Sequence, residues 1–230
     1  MDSTKGDFQT RKEEIDNYFT FLKIIDAENT LIKYDKDGAQ VEEKISSKLQ
    51  TMFIANAFLI LYNLIESTVR NSIVEIYEKI KEDEVTYSEL SENLKKLWVQ
   101  EEIKNIKEGT SKIVKVQCII NRVVDNEVIA LTKDNINISG NIDADKIRKL
   151  ADNIGFNKSD NEKNGRNLVV IKHKRNGLAH GNFTFYDVGK DYSVKDLNKF
   201  KQETFDYLSD VIYNIESFIN EGKYKTKIAV

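Results

Sequence analysis

The 230-residue chain contains no proline, ten glycines, two histidines and one cysteine. Average usage would give about eleven prolines and about sixteen glycines in a chain of this length. Because both residues interrupt helices, their scarcity favours a predominantly helical protein. Hydrophobic residues make up 40% of the chain, which is enough to bury a substantial core in one large domain or two small ones.

The shortage of metal-binding side chains excludes several classes of site. A single cysteine, Cys118, allows neither an internal disulfide nor a cysteine zinc cluster, and it is typical of a reducing compartment. The two histidines and the scattered carboxylates lack the spacing of metal ligands. We therefore expect neither a metal nor another cofactor. The net charge of -3 gives no overall attraction for nucleic acid, so any such binding requires a local basic patch.

Long apolar segments are also lacking. Residues 1–8 are polar and acidic, unlike the apolar centre of a signal peptide. The longest apolar stretch, 53–65, is interrupted by Asn56 and Asn63 and is shorter than the roughly 20 residues that span a bilayer. The sequence thus predicts a cytoplasmic protein without a membrane span.

Apolar periodicity predicts a single all-α domain over 1–230, a bundle of long antiparallel helices with a small inserted β-hairpin. The hairpin is expected at 127–139, around the turn residues Lys133 and Asp134. Asp143 and Ser193 are predicted to cap two of the late helices. The run 113–124 fits either a buried helix or a strand. The other helices are predicted at 8–34, 43–81, 87–107, 143–154, 164–178 and from 193 onward.

Both histidines lie in one basic segment, Val170-Ile-Lys-His-Lys-Arg-Asn-Gly-Leu-Ala-His-Gly181. Such a concentration of positive charge in an acidic chain favours a phosphate-bearing ligand. The alternative is a solvated basic helix face that ends at a glycine cap. Within the segment, Arg175-Asn176-x-x-x-His180 combines a planar, permanently charged fork with a side chain suited to proton transfer. About one chain in twenty with this many arginines would show the spacing by chance, so the pair alone is a weak motif.

A helix that ends in Arg-Asn-x-x-x-His and glycine, within an all-helical protein, resembles the signature of the HEPN (higher eukaryotes and prokaryotes nucleotide-binding) superfamily. The surroundings resemble the MAE-type HEPN-like nucleases of bacterial defence and toxin-antitoxin loci. This resemblance spans residues 10–220. The matching segments are Glu14-Ile-Asp-Asn-Tyr-Phe-Thr-Phe-Leu22, Tyr62-Asn-Leu-Ile-Glu-Ser-Thr-Val-Arg-Asn71 and Ser139-Gly-Asn-Ile-Asp143.

The resemblance implies metal-independent RNA cleavage by a homodimer in which two motifs face one cleft. It assigns catalysis to Arg175 and His180, with Asn176 as the residue that positions them. It also implies an acidic partner on an earlier helix, and Glu66 is the best match, although a salt bridge to Arg70 would explain Glu66 equally well. The basic residues expected to contact RNA are Arg70, Arg166, Lys172, His173 and Lys174.

Two questions stay open at the level of sequence. On a regular helix Arg175 and His180 lie about 140° apart, so either the helix distorts near Gly177 or the arginine reaches round. Arg166 and His173 form a second, looser pair. A binding module without activity, whose partner is a nucleotide, an antitoxin, a nucleotidyltransferase or another defence-system protein, is the alternative to a ribonuclease toxin. A structural dimerisation domain is the third interpretation.

Overall fold

The computed structural model describes residues 1–27, 30–105, 111–132, 140–159 and 165–226. The chain is predominantly helical, as predicted, with one two-stranded antiparallel sheet in these ranges. The helices are α1 (Asp2–Asp26), α2 (Ser47–Glu82), α3 (Glu92–Asn105), α4 (Lys112–Val124), α5 (Ala144–Ile154), α6 (Arg166–Ala179), α7 (Phe185–Gly189) and α8 (Val194–Asn220). The strands are β1 (Leu31–Lys36) and β2 (Ala39–Lys44), and a 3-10 turn covers Tyr87–Glu89.

Helix α2 forms the centre of the bundle. It begins at Ser46, whose hydroxyl accepts a hydrogen bond from the Leu49 N–H, and it packs against α1, α6, α7 and α8. Apolar residues surround its middle on nearly all sides, which is the pattern of a helix enclosed by others. By length and composition α2 could cross a membrane, but half of its most apolar stretch is buried inside the bundle. This burial is typical of the core helix of a folded domain.

The first helix begins and ends earlier than predicted, and its last predicted turns belong to a β-hairpin. Helix α1 ends at Asp26, and Ile32 and Tyr34 lie on β1, which pairs antiparallel with β2. The strands are joined by Asp37 and Gly38, with φ angles of 55° and 82°. Two positive φ angles define the tight turn for which Asp-Gly is a preferred sequence. The hairpin therefore lies at 31–44.

The hairpin predicted at 127–139 is not formed in its described half. Val128 makes an isolated antiparallel bridge with Thr86, and the Ile129 N–H donates to the Val85 carbonyl at 2.9 Å. These residues attach the chain to the segment that follows α2. The predicted turn at Lys133 and Asp134 and the arm at 135–139 lie outside the described residues. The ambiguous run 113–124 is helix α4.

The caps of the late helices agree with the sequence. Asp143 accepts a hydrogen bond from the Lys146 N–H at 2.9 Å and begins α5. Ser193 begins α8 with a reciprocal pair of bonds to Asp196. The predicted helix start at Asn164 and the predicted helix end at Lys107 lie outside the described residues. The result is a helical bundle in which α6 lies against α2, α5 and α8.

Candidate functional site

The end of α6 is fixed by its backbone. The helix is continuous through Gly177 to Ala179, and His180 is its C-cap. Gly181 follows with a φ of 72°. The Gly181 N–H donates to the Leu178 carbonyl at 3.2 Å, and the Asn182 N–H donates to the Gly177 carbonyl at 2.8 Å. These paired bonds around a left-handed glycine form a Schellman motif, which places His180 at the helix terminus.

Gly177 allows the chain after the motif to fold back onto α6. A Cβ atom at this position would lie 2.0 Å from the Phe183 ring, so only glycine leaves room for it. The Phe183 ring lies edge-on to the His173 ring, with 5.5 Å between the centroids, and Lys174 Nζ lies 5.6 Å from the Phe183 centroid. The basic segment thus has an aromatic side chain packed within it.

Arg175 points towards α2. Its guanidinium carbon lies 4.4 Å from the centroid of the Tyr62 ring, a distance at which a cation is attracted to the ring face. Its Nη1 donates to Asn176 Oδ1 at 3.0 Å, and its Nη2 lies 3.9 Å from Glu66 Oε2. The side chain is 23% exposed. The guanidinium is therefore held in place and still reachable from solvent.

The Glu66 carboxylate lies next to two cationic side chains. Its Oε1 accepts a hydrogen bond from Arg70 Nη2 at 2.8 Å, one helical turn away, and its Oε2 faces Arg175. The salt bridge to Arg70 and the contact with the motif arginine, which the sequence left as alternatives, are both present. Burial raises the pKa of the Tyr62 phenol, and the nearby Glu66 carboxylate raises it further, whereas Arg175 acts in the opposite direction. The Tyr62 hydroxyl is thus kept protonated beside the carboxylate.

A four-residue segment, 140–143, lies against α6 next to Arg175, and we call it the strap. Asn141 Oδ1 accepts a hydrogen bond from Asn176 Nδ2 at 3.0 Å. The Asp143 carboxylate binds Lys172 Nζ. Burial alone would raise the pKa of Asp143, but the hydrogen bond from Lys172 and the cap bond from the Lys146 N–H lower it below its ordinary value. Lys172 is thus paired within the protein.

The exposed face of α6 carries the remaining candidates. Arg166, Val169, His173 and His180 are exposed and follow one another at intervals of three, four and seven positions, which is the spacing of a single helix face. Among the described contacts, none joins the His180 side chain to Arg175, Asn176 or Glu66. The helix does not distort at Gly177, so within one chain the structure brings Arg175, Asn176 and Glu66 together and leaves His180 apart.

Three residues were not assigned to this site from the sequence. Tyr62, Asn141 and Asp143 contact the motif from other elements. Tyr62 lies one turn before Glu66 on the same helix face, a spacing that could have indicated a shared site. Nothing in the sequence pairs Asn141 with Asn176, because 35 positions separate them.

An all-α bundle with Arg-Asn-x-x-x-His at the end of α6 fits a HEPN module. The chain belongs to the MAE_28990-like HEPN family, whose family model matches residues 2–224. A search of curated proteins found no match, and a search of solved structures found none.

Proposed function

We propose that this HEPN protein is a metal-independent endoribonuclease that cleaves RNA by attack of a ribose 2'-hydroxyl. The observation that supports the proposal best is the state of Arg175. Its guanidinium is oriented by Tyr62, Asn176 and Glu66 and remains partly open to solvent. A preoriented arginine is the group that stabilises charge developing on a phosphate.

His180 supplies the proton chemistry. It stands exposed at the end of α6, where an RNA strand can approach it. The 2'-oxygen forms a bond to phosphorus as the 2'-proton passes to an imidazole, and the bond from phosphorus to the 5'-oxygen breaks. The leaving oxygen takes a proton from a protonated imidazole. The products are a 2',3'-cyclic phosphate and a 5'-hydroxyl.

Two imidazoles are needed for this concerted step, and a homodimer provides them. Arg175 and His180 are separated by about 140° and about 7.5 Å of rise on a regular helix. One chain therefore directs them to different sides of α6. In a two-fold dimer the same surface patch of both copies faces one cleft, so the arginine of one copy can meet the histidine of the other.

RNA binding falls to the basic side chains around this cleft. Arg166 and His173 lie on the exposed face of α6, and Arg70 lies on α2 beside Glu66. Lys174 is close to aromatic rings of Phe183 and Tyr192. The net charge is negative, so we expect affinity to depend on this local strip and to fall with salt.

The test is incubation of purified protein with single-stranded RNA in EDTA. We expect cleavage by the wild type and loss of cleavage in His180→Ala and Arg175→Ala. Arg11→Ala, at an exposed position of α1, is the control for the loss of one surface arginine. Intact RNA with folded, dimeric wild-type protein would exclude the proposed activity.

We further propose that the cleavage serves a toxin or defence effector. Induced expression in a bacterial host should then arrest growth, and His180→Ala should relieve the arrest. An antitoxin or another defence-system protein that binds the chain should also relieve it. Arrest by both wild type and His180→Ala would exclude RNA cleavage as its cause.

One observation favours a second function. The His180 imidazole has no orienting partner among the described residues of the single chain, whereas a general base is commonly held by one. A binding module for a nucleotide or a partner protein would not need such a partner. Binding without cleavage in the EDTA experiment would support this function.

A further inference from the structure

We propose that Tyr62 and the strap, 140–143, form a positioning device that sets the orientation of Arg175 for phosphate binding. This inference rests on the proposed ribonuclease function, in which Arg175 contacts the scissile phosphate. Tyr62 is a positioning residue because it acts through the arginine.

Tyr62 contacts the Arg175 guanidinium through its aromatic ring. Its side chain is buried in the centre of α2, and its ring faces the Arg175 guanidinium at 4.4 Å. A ring at this distance restricts the position of the guanidinium carbon and does not occupy the N–H donors. Of these, Nη1 donates to Asn176, and Nη2 lies 3.9 Å from Glu66, beyond ordinary hydrogen-bond length. The guanidinium thus keeps donors for a phosphate.

The hydroxyl of Tyr62 ties the ring to the strap. It accepts a hydrogen bond from the Ile142 N–H at 3.1 Å, in a buried contact between residues 80 positions apart. Gly140, two residues earlier, has a φ of 71°, and a Cβ atom built there would lie 3.6 Å from Arg175 Nη1. The strap therefore runs close to the guanidinium that the ring supports.

Two further contacts fix the strap to α6 itself. Asn141 accepts from the Asn176 amide at 3.0 Å, and the other end of that amide accepts from Arg175. Asp143 binds Lys172, one turn before Asn176. Tyr62, the strap and the motif are therefore joined in a closed circuit of contacts through Ile142, Asn141 and Asn176 to Arg175.

Core packing alone does not require this arrangement. A phenylalanine at position 62 would fill the same space, but it would leave the buried Ile142 N–H without an acceptor. Asn141 is exposed, so its bond to Asn176 buries little apolar surface and contributes little to folding. Both features are explained if the circuit holds Arg175 in the geometry needed for catalysis, where an error of about 1 Å can cost about 100-fold in rate.

The experiment compares Tyr62→Phe, Tyr62→Leu and Asn141→Ala in the full chain. The Tyr213→Phe and Tyr213→Leu substitutions at an exposed site on α8 are the matched controls. Steady-state cleavage of RNA in EDTA gives kcat and KM. The side-chain Nε–Hε resonance of Arg175, assigned by its loss in Arg175→Lys, reports the ring contact without any need for activity.

For Tyr62→Leu we expect kcat to fall about 100-fold with KM unchanged, and the Arg175 resonance to lose its ring-current shift. Tyr62→Phe should keep the ring-current shift, accelerate exchange of the Ile142 amide and lower kcat less. Asn141→Ala should lower kcat and leave the melting temperature at the wild-type value. This variant therefore tests the positioning role even if Tyr62→Leu fails to fold. The Tyr213 variants should match the wild type.

Unchanged kcat in folded Tyr62→Leu or Asn141→Ala would overturn the positioning role, as would an Arg175 resonance that does not respond to loss of the ring. If the wild type itself leaves RNA intact, the ribonuclease proposal fails, and the response of the Arg175 resonance to the Tyr62 and Asn141 variants then decides the positioning role separately.

Discussion

The Glu66→Gln substitution tests whether Glu66 contributes to catalysis or only to the stability of the fold. The change keeps the shape of the side chain and removes a charge that is 17% exposed and lies 2.8 Å from Arg70 and 3.9 Å from Arg175. The i,i+4 pair with Arg70 contributes about 0.3 to 0.5 kcal/mol. At an effective dielectric constant of about 20, the Coulomb attraction between Glu66 and Arg175 is about 4 kcal/mol. The cost of desolvating the two charges offsets most of this attraction.

We therefore expect a stability loss of about 1 kcal/mol, or roughly 2 to 4 °C in Tm for a domain of this size. If Arg175 needs the carboxylate for its orientation, kcat should fall more steeply, by about 10- to 100-fold. Thermal unfolding and RNA cleavage in EDTA are the two assays. Glu102→Gln is the matched control, because Glu102 is 16% exposed and pairs with Arg122 at 2.6 Å. A large loss in Tm with kcat at the control value would refute the reasoning and make Glu66 structural.

Three other changes test the fold and the site. Gly177→Ala should destabilise the protein by about 1 to 3 kcal/mol, because the new methyl group overlaps the packed Phe183 ring. Gly6→Ala, which adds a methyl group in open space on α1, should stabilise the protein by about 0.5 to 1 kcal/mol. Urea unfolding measures both free energies, and equal effects would contradict the close contact at Gly177. Asp143→Asn keeps a capping side chain but loses the ion pair with Lys172. Because folding lowers the pKa of Asp143, the wild type should be more stable than the variant above about pH 4. This difference in stability should vanish as the pH falls through the pKa of Asp143 in the folded protein. Wild-type and His180→Ala chains, unfolded and refolded together in equal amounts, should give about a quarter of the wild-type cleavage if both His180 imidazoles of a dimer are needed, and about half if each chain acts alone.

The sequence predicts the helices of this fold well where apolar periodicity and caps coincide. Asp143 and Ser193 begin their helices as predicted, because each offers a side-chain acceptor to free N–H groups. The hairpin at 31–44 was not predicted, for a definite reason. Ile32 and Tyr34 continue the apolar spacing of α1 and so favour a longer helix, whereas the Asp37-Gly38 pair is a turn signal that indicates a hairpin.

The sequence predicted the proximity of Arg175, Asn176 and Glu66 but not the contacts that orient the arginine. The spacing of Arg175 and His180 on a regular helix already separates them, and α6 is regular through Gly177. The contacts that orient the arginine come from Tyr62 and the strap, which are distant in sequence. Such contacts depend on how α2, α5 and α6 pack, and no local pattern encodes that packing.

Analysis of the RNA ends formed in EDTA tests the central claim most directly. The account predicts 2',3'-cyclic phosphate and 5'-hydroxyl termini from the wild type, and no cleavage by His180→Ala at equal folded concentration. Termini with 3'-hydroxyl and 5'-phosphate, or cleavage that persists in His180→Ala, would contradict it.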